Sequence, residues 1–170
     1  MRIGPLLLRI AVFCLGQSEG QFDQAALLLV RKLLTVPDRD QVWESVQHAL
    51  LVSLASLAPR PVVLQASVVV FSSLSFAHPN LAVYRVLAKL FAAAFSSDHA
   101  ETRITALTCF RALLESSFRV RESQLFKHVG LLIGECGPDL IQSCCAGKAH
   151  HEEELKILVF IHAIAGATGD

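Results

Sequence analysis

Residues 41–57 read QVWESVQHALLVSLASL, and their spacing decides the fold class. Val42, Val46, Ala49, Leu50, Ser53, Leu54 and Leu57 recur at i, i+4, i+7 and i+8, the period of one helix face. Glu44, Gln47 and His48 fall elsewhere on the same wheel. A strand would alternate with a period of two, and this stretch does not.

Outward from this helix, chain breakers punctuate the sequence at even intervals. They fall at residues 16–20, at Pro37-Asp38, at Pro59-Arg60-Pro61, at His78-Pro79-Asn80 and at Ser96-Ser97-Asp98. Further breaks are read at residues 116–122, at Gly137-Pro138 and at residues 146–151. Helices are therefore predicted to begin near Phe22, Gln41, Pro61, Asn80, Asp98, Glu122, Pro138 and His151, after an apolar helix over Leu6 to Leu15. The first five of these starts are 18 to 20 residues apart, so two helices take about 40 residues, the period of helical-hairpin arrays.

Several starts carry their own chemistry. Pro61 suits a first helical turn, where its missing N–H would have no partner. Asn80 can cap free backbone donors, and Asp98 with Glu101 has the form of a capping box. Val62-Val63 and Val68 to Phe71 favour strand by side-chain branching. Their surroundings are helical and a lone strand has nothing to pair with, so a buried helix is predicted there. The next long helix has an apolar stripe of Ala106, Leu107, Phe110, Leu113 and Leu114, opposite Glu101, Thr105, Thr108 and Glu115. Arg111 and Glu115 stand at i, i+4 and can pair.

The spacing Asp98-x-x-Glu101-x-Arg103-x-x-Ala106-Leu107-x-x-Phe110-x-x-Leu113 resembles the second half of a HEAT unit. The resemblance covers one repeat in motif and most of the chain in periodicity. It implies an all-α fold, an α-solenoid of about four stacked HEAT/armadillo-like hairpins forming one domain over residues 1–170. It also implies a ladder between neighbouring repeats in which Asp98 and Arg103 take part. The Leu/Ser/Ala-rich helices are similar in texture to large vertebrate armadillo-type proteins of the meiosis-inhibitor kind. That similarity implies a setting in meiotic double-strand breaks and synapsis.

Composition narrows the function classes. The 170 residues are 53% hydrophobic with a mean hydropathy of +0.50. Lys plus Arg and Asp plus Glu are 15 each, so no net field draws the chain to nucleic acid or anionic lipid. Five cysteines (Cys14, Cys109, Cys136, Cys144, Cys145) are odd in number and irregular in spacing, which points to reduced thiols in the cytoplasm or nucleus. The longest uncharged stretch, Val62 to Tyr84, ends in a Pro-Asn turn and is too polar for a membrane span. Arg9 splits the N-terminal apolar run, which disfavours a signal peptide.

No nucleophile elbow, phosphate-binding loop, dinucleotide fingerprint or zinc-protease motif occurs, so no enzyme and no cofactor is expected. Cys136, Cys144, Cys145, His150 and His151 supply soft ligands within 16 residues, but their spacing fits no zinc knuckle and packed thiols are the better reading. Arg111, Arg119, Arg121 and Lys127 form a basic cluster, read as the candidate partner-binding residues. Nucleic acid is disfavoured beside Glu115 and Glu122. The expected partner is a peptide or helix of another protein held in a concave groove formed by Asp98 to Ser117 and Glu122 to Gly134. Leu6 to Leu15 and Ile157 to Ala165 lack the polar face of a terminal repeat, so the chain is expected to be a piece of a longer array or to pack its ends on flanking repeats.

Overall fold

The computed structural model describes residues 3–17, 20–35, 41–74, 81–119 and 124–146, with isolated positions 155, 156, 158, 159 and 162. Seven helices and no strand occur among the described residues: α1 Ile3–Gly16, α2 Asp23–Leu34, α3 Gln41–Ala55, α4 Pro61–Ser72, α5 Leu81–Phe95, α6 Ala100–Arg119 and α7 Gln124–Ala146. The starts of α2 to α6 are 18 to 20 residues apart, as the breaker spacing predicts. Pro61 occupies the first turn of α4 after an extended Arg60. The valine-rich segment is helical, with Val62, Val63, Leu64, Ala66, Val70 and Phe71 buried.

Two series of contacts organise these helices. The odd helices pack in order, α1 on α3, α3 on α5 and α5 on α7. The even helices do the same, α2 on α4 and α4 on α6. Within hairpins, α1 packs on α2, α3 on α4 and α5 on α6. The core is the seam between the two layers. Leu8, Leu15, Leu51, Leu54, Leu64, Phe71, Tyr84, Leu87, Phe91, Phe95, Leu107 and Phe110 are its largest fully buried side chains.

The predicted arc of α3 is rotated in the structure. Val46, Leu50 and Leu54 are buried as expected, but Ala49 and Ser53 are exposed, and Gln47 and Leu51 are fully buried instead. The cause is tertiary: α3 packs against α1, α4 and α5 together, so its buried arc is displaced toward the extra neighbours. Gln47 meets the burial by donating from Nε2 to Ser73 Oγ at 3.2 Å, while its Oε1 has no protein partner.

A second correction concerns Pro138. No new helix begins there; α7 is a single helix of 23 residues with Pro138 inside it. Proline cannot supply the hydrogen bond to the carbonyl four residues earlier, at Gly134. Gly134 and Pro138 are both exposed, so that carbonyl lies on the solvent side, where water can satisfy it. Four hairpins are accordingly not seen among the described residues, which make three hairpins followed by α7. The helix predicted from His151 lies outside them, apart from isolated helical positions.

One polar clip locks the first two hairpins together. Arg60, at the N-cap of α4, holds Asp23 in the first turn of α2 at 2.9 Å and also donates to the carbonyl of Leu15 near the end of α1. Gly20 makes the approach: its φ of 67° is left-handed, and a Cβ there would stand 3.4 Å from the Asp23 carboxylate. Replacing Arg60 with alanine is expected to lower stability by about 1–2 kcal/mol, since it strands a helix-end carbonyl and a half-buried carboxylate. Urea denaturation measures it, and a change within error would show the clip to be idle.

Candidate functional site

The even layer carries a cavity. It has a volume of about 570 Å³, within the range of ligand sites, and lies between the C-terminal halves of α2 and α4. Arg31, Leu34 and Thr35 come from α2 and its end, while Val68, Val69, Ser72, Ser73 and Leu74 come from α4 and its end.

The sequence builds this groove through one unusual helix. Helix α4 carries no charged residue, and Gln65, Val68, Val69 and Ser72 share its outer face at i, i+3, i+4 and i+7. Gln65, Val68 and Val69 are only half-exposed, whereas Leu28 and Arg31 on α2 and Ile104 and Thr108 on α6 are exposed. The middle helix is therefore recessed between its neighbours. The Arg31 charge also acts on the Cys109 thiol of α6. Burial dominates at that thiol and pushes it up to about 11, with the guanidinium pulling the other way. A thiol so protonated is a packing group and not a nucleophile.

At the polar end of the groove, hydroxyl protons are already committed. Thr35 Oγ1 donates to the Lys32 carbonyl at 2.8 Å, and Ser73 Oγ donates to the Val70 carbonyl at 2.7 Å. Ser73 Oγ also accepts from Gln47 Nε2 at 3.2 Å, so the lone pairs offered to a ligand are those of the exposed Thr35 Oγ1. Both helices also end here, which adds partial negative charge. Among the described residues Arg31 is the single charged one lining the groove, and it forms no ion pair with any of them.

Of the basic residues singled out in sequence, the two with described side chains, Arg111 and Lys127, do not line this groove. Arg111 is half-exposed on α6 and pairs with Glu115 at 2.8 Å, the predicted i, i+4 contact. Lys127 is exposed on α7, which belongs to the other layer. Arg119 ends α6 with its side chain outside the described set, and Arg121 lies outside the described residues. The expected groove of Asp98 to Ser117 with Glu122 to Gly134 is likewise divided, because α6 and α7 stand in different layers.

Among the described residues Asp98 and Arg103 do not make the implied ladder contact. Asp98 is exposed and has no hydrogen bond or ion pair among the described residues. Arg103 turns back to the carbonyl of Ser97 at 2.6 Å, in the turn before its own helix. Ser97, not Asp98, caps that turn by accepting from the His99 N–H at 3.2 Å, because α6 begins two residues later than predicted. The nearest equivalent of a ladder is the Asp23–Arg60 pair, which spacing alone gave no reason to pair.

A buried polar network ties α7 to the rest. His128 and Tyr84 are 2% and 1% exposed, and His128 Nδ1 meets the Tyr84 hydroxyl. His128 Nε2 lies 3.2 Å from the Leu74 carbonyl, which can only accept, so Nε2 bears the ring proton and Nδ1 accepts from Tyr84. Burial lowers the His128 pKa, the Leu74 hydrogen bond opposes this, and the charge of His48 adds to the lowering. Burial also raises Tyr84 to about 12. Sequence reading missed this network, because α5 and α7 are joined by packing and not by chain order.

The suggested metal ligands Cys136, Cys144, Cys145, His150 and His151 have no described side chains. Among the described residues no cluster of three or more His, Cys, Asp or Glu occurs. No described helix is long and apolar enough to cross a membrane. Comparison with family models, with curated proteins and with solved structures finds no match to this chain.

Proposed function

We propose that this protein is a non-enzymatic α-solenoid module of the HEAT/armadillo kind, a scaffold that binds a segment of another protein along its even-helix layer. The observation that carries this reading is the recess over α4, flanked by the exposed Leu28 and Arg31 on one side and Ile104 and Thr108 on the other. Helices packed in two parallel series build such continuous surfaces, because each hairpin buries its apolar face on the next. The absence of catalytic motifs in the sequence fits the same reading. Its proposed compartment is cytoplasmic or nuclear, from the odd, unpatterned cysteines. A meiotic chromosome setting rests on the texture of the Leu/Ser/Ala-rich helices alone.

The test starts from the full chain as bait, with the copurified proteins identified and then purified. Leu28→Glu, Ile104→Glu and Arg111→Glu should each weaken the purified pair by tenfold or more, while Lys89→Glu on the exposed side of α5 should leave it unchanged. Loss confined to Lys89→Glu would place the interface on the odd layer and refute the proposal.

A second reading is favoured by the outer face of α1. Leu6, Ile10 and Phe13 are 44%, 46% and 71% exposed at i, i+4 and i+7, an apolar stripe of the kind that inner helices bury. A flanking helical repeat laid on α1 would continue the odd series. In that case the module is an internal section of a larger scaffold. A nucleic-acid role has less support, since the two described members of the basic cluster, Arg111 and Lys127, stand on helices of different series.

A further inference from the structure

Resting on the even-layer reading above, the chemistry of the groove specifies what it takes. We propose that the recess between α2 and α4 binds a short acidic-aliphatic peptide segment, with a carboxylate on Arg31 and the adjoining aliphatic side chain against Leu34, Val68 and Val69.

Charge complementarity supports the carboxylate. Arg31 is exposed at the rim, and among the described residues it has no ion-pair partner and no acidic residue lines the groove. The acid of its own helix, Asp23, is held by Arg60 at the far end. Arginine presents a planar fork of donors that matches a carboxylate in two parallel hydrogen bonds.

The floor supports the aliphatic neighbour. Val68 and Val69 are half-exposed and stiff at χ1, so they lose little freedom when covered. Leu34 and Leu74, both buried, close the floor below them.

The far end sets polarity. Thr35 and Ser73 have given their protons to backbone carbonyls, and two helix C-termini meet there. The helix ends repel a second anion and the exposed Thr35 Oγ1 can accept a hydrogen bond, so a peptide N–H belongs at that end and the carboxylate one helical turn away, at Arg31. A polar rim over an apolar floor of this size suits three or four residues of extended chain, and not a whole helix.

The test selects a phage-displayed random heptapeptide library on the full chain and measures the enriched sequences as fluorescein-labelled synthetic peptides by anisotropy. The expected peptides carry Asp or Glu beside Leu, Ile or Val. Arg31→Glu should weaken them at least tenfold, and Ser72→Phe, which fills the groove from an exposed position, by a similar factor. Changing the peptide acid to its amide should weaken binding to the wild type but not to Arg31→Gln. Circular dichroism checks each variant for helix content, and Arg31→Gln replaces Arg31→Glu if the latter unfolds.

Enriched peptides without acidic residues, an empty selection, or binding indifferent to both Arg31 and Ser72 substitutions would overturn the inference. Peptides lost with Ile104→Glu or Arg111→Glu but untouched by Arg31→Gln would overturn it while leaving the even-layer reading in place. Peptides sensitive only to Lys89→Glu would overturn both.

Discussion

Replacing Phe110 with alanine is expected to remove about 3–5 kcal/mol of stability, the range for emptying a buried phenylalanine site. Phe110 is 1% exposed and stands at the centre of an aromatic group on the α5–α6 seam. Its ring centroid lies 5.4 Å from Phe91 and 6.3 Å from Phe95, both edge-on, and those two are 6.0 Å apart. Edge-to-face rings add to their area burial, so three rings are weakened by one deletion. Against a total of about 5–15 kcal/mol for a domain, the loss is a large fraction. Phe110→Leu keeps most of the volume and should cost less than half as much. Urea midpoints for both variants decide the matter. A loss under about 1 kcal/mol for the alanine variant would mean that α6 does not pack on α5 as described.

The buried histidine should make stability depend on pH in a defined direction. Its native pKa is lowered below the ordinary 6.5, so between those two values the unfolded chain binds the proton and the folded chain does not. The contribution of the neutral ring is thus complete above about pH 6.5 and is lost as pH falls through the window beneath it. His128→Leu should cost about 2–4 kcal/mol at neutral pH, because it leaves the Tyr84 hydroxyl and the Leu74 carbonyl without their partner. It should also flatten the fall in stability between pH 7.5 and pH 5, while the six other histidines keep their own effects. Adding Tyr84→Phe to His128→Leu should recover part of the loss, since it removes one stranded donor. A pH slope identical in wild type and His128→Leu would contradict the neutral, buried assignment.

The two effects have different origins in the chain. Phe110 belongs to the predicted stripe of α6, and all five members of that stripe are buried. The Arg111–Glu115 pair on the opposite side was equally legible, because both partners lie on one turn of one helix. His128 and Tyr84 are 44 residues apart, and nothing in their spacing announces a contact. The candidate groove falls between these cases. The long uncharged stretch that supplies α4 is visible as a sequence oddity and predicts a buried helix. Half of that reading holds: α4 is buried on one side and recessed on the other, and it is the recess that makes the groove. Arg31, by contrast, looks in sequence like an ordinary cation in the last turn of a helix.

Helix identity and the even interval between the starts of α2 to α6 were determined by the sequence alone. These are consequences of local rules: the 3.6-residue period of apolar side chains, proline at α4's first turn, and breakers in the turns between helices. Which arc of each helix is covered was decided only by tertiary packing. A helix with three neighbours buries polar Gln47 and leaves Ala49 in solvent, whatever its own periodicity prefers. The same holds for Pro138, whose lost hydrogen bond is tolerable because that side of α7 faces water. It holds again for the Asp23–Arg60 clip and the Tyr84–His128 network, whose partners meet because helices two apart in the chain are neighbours in space.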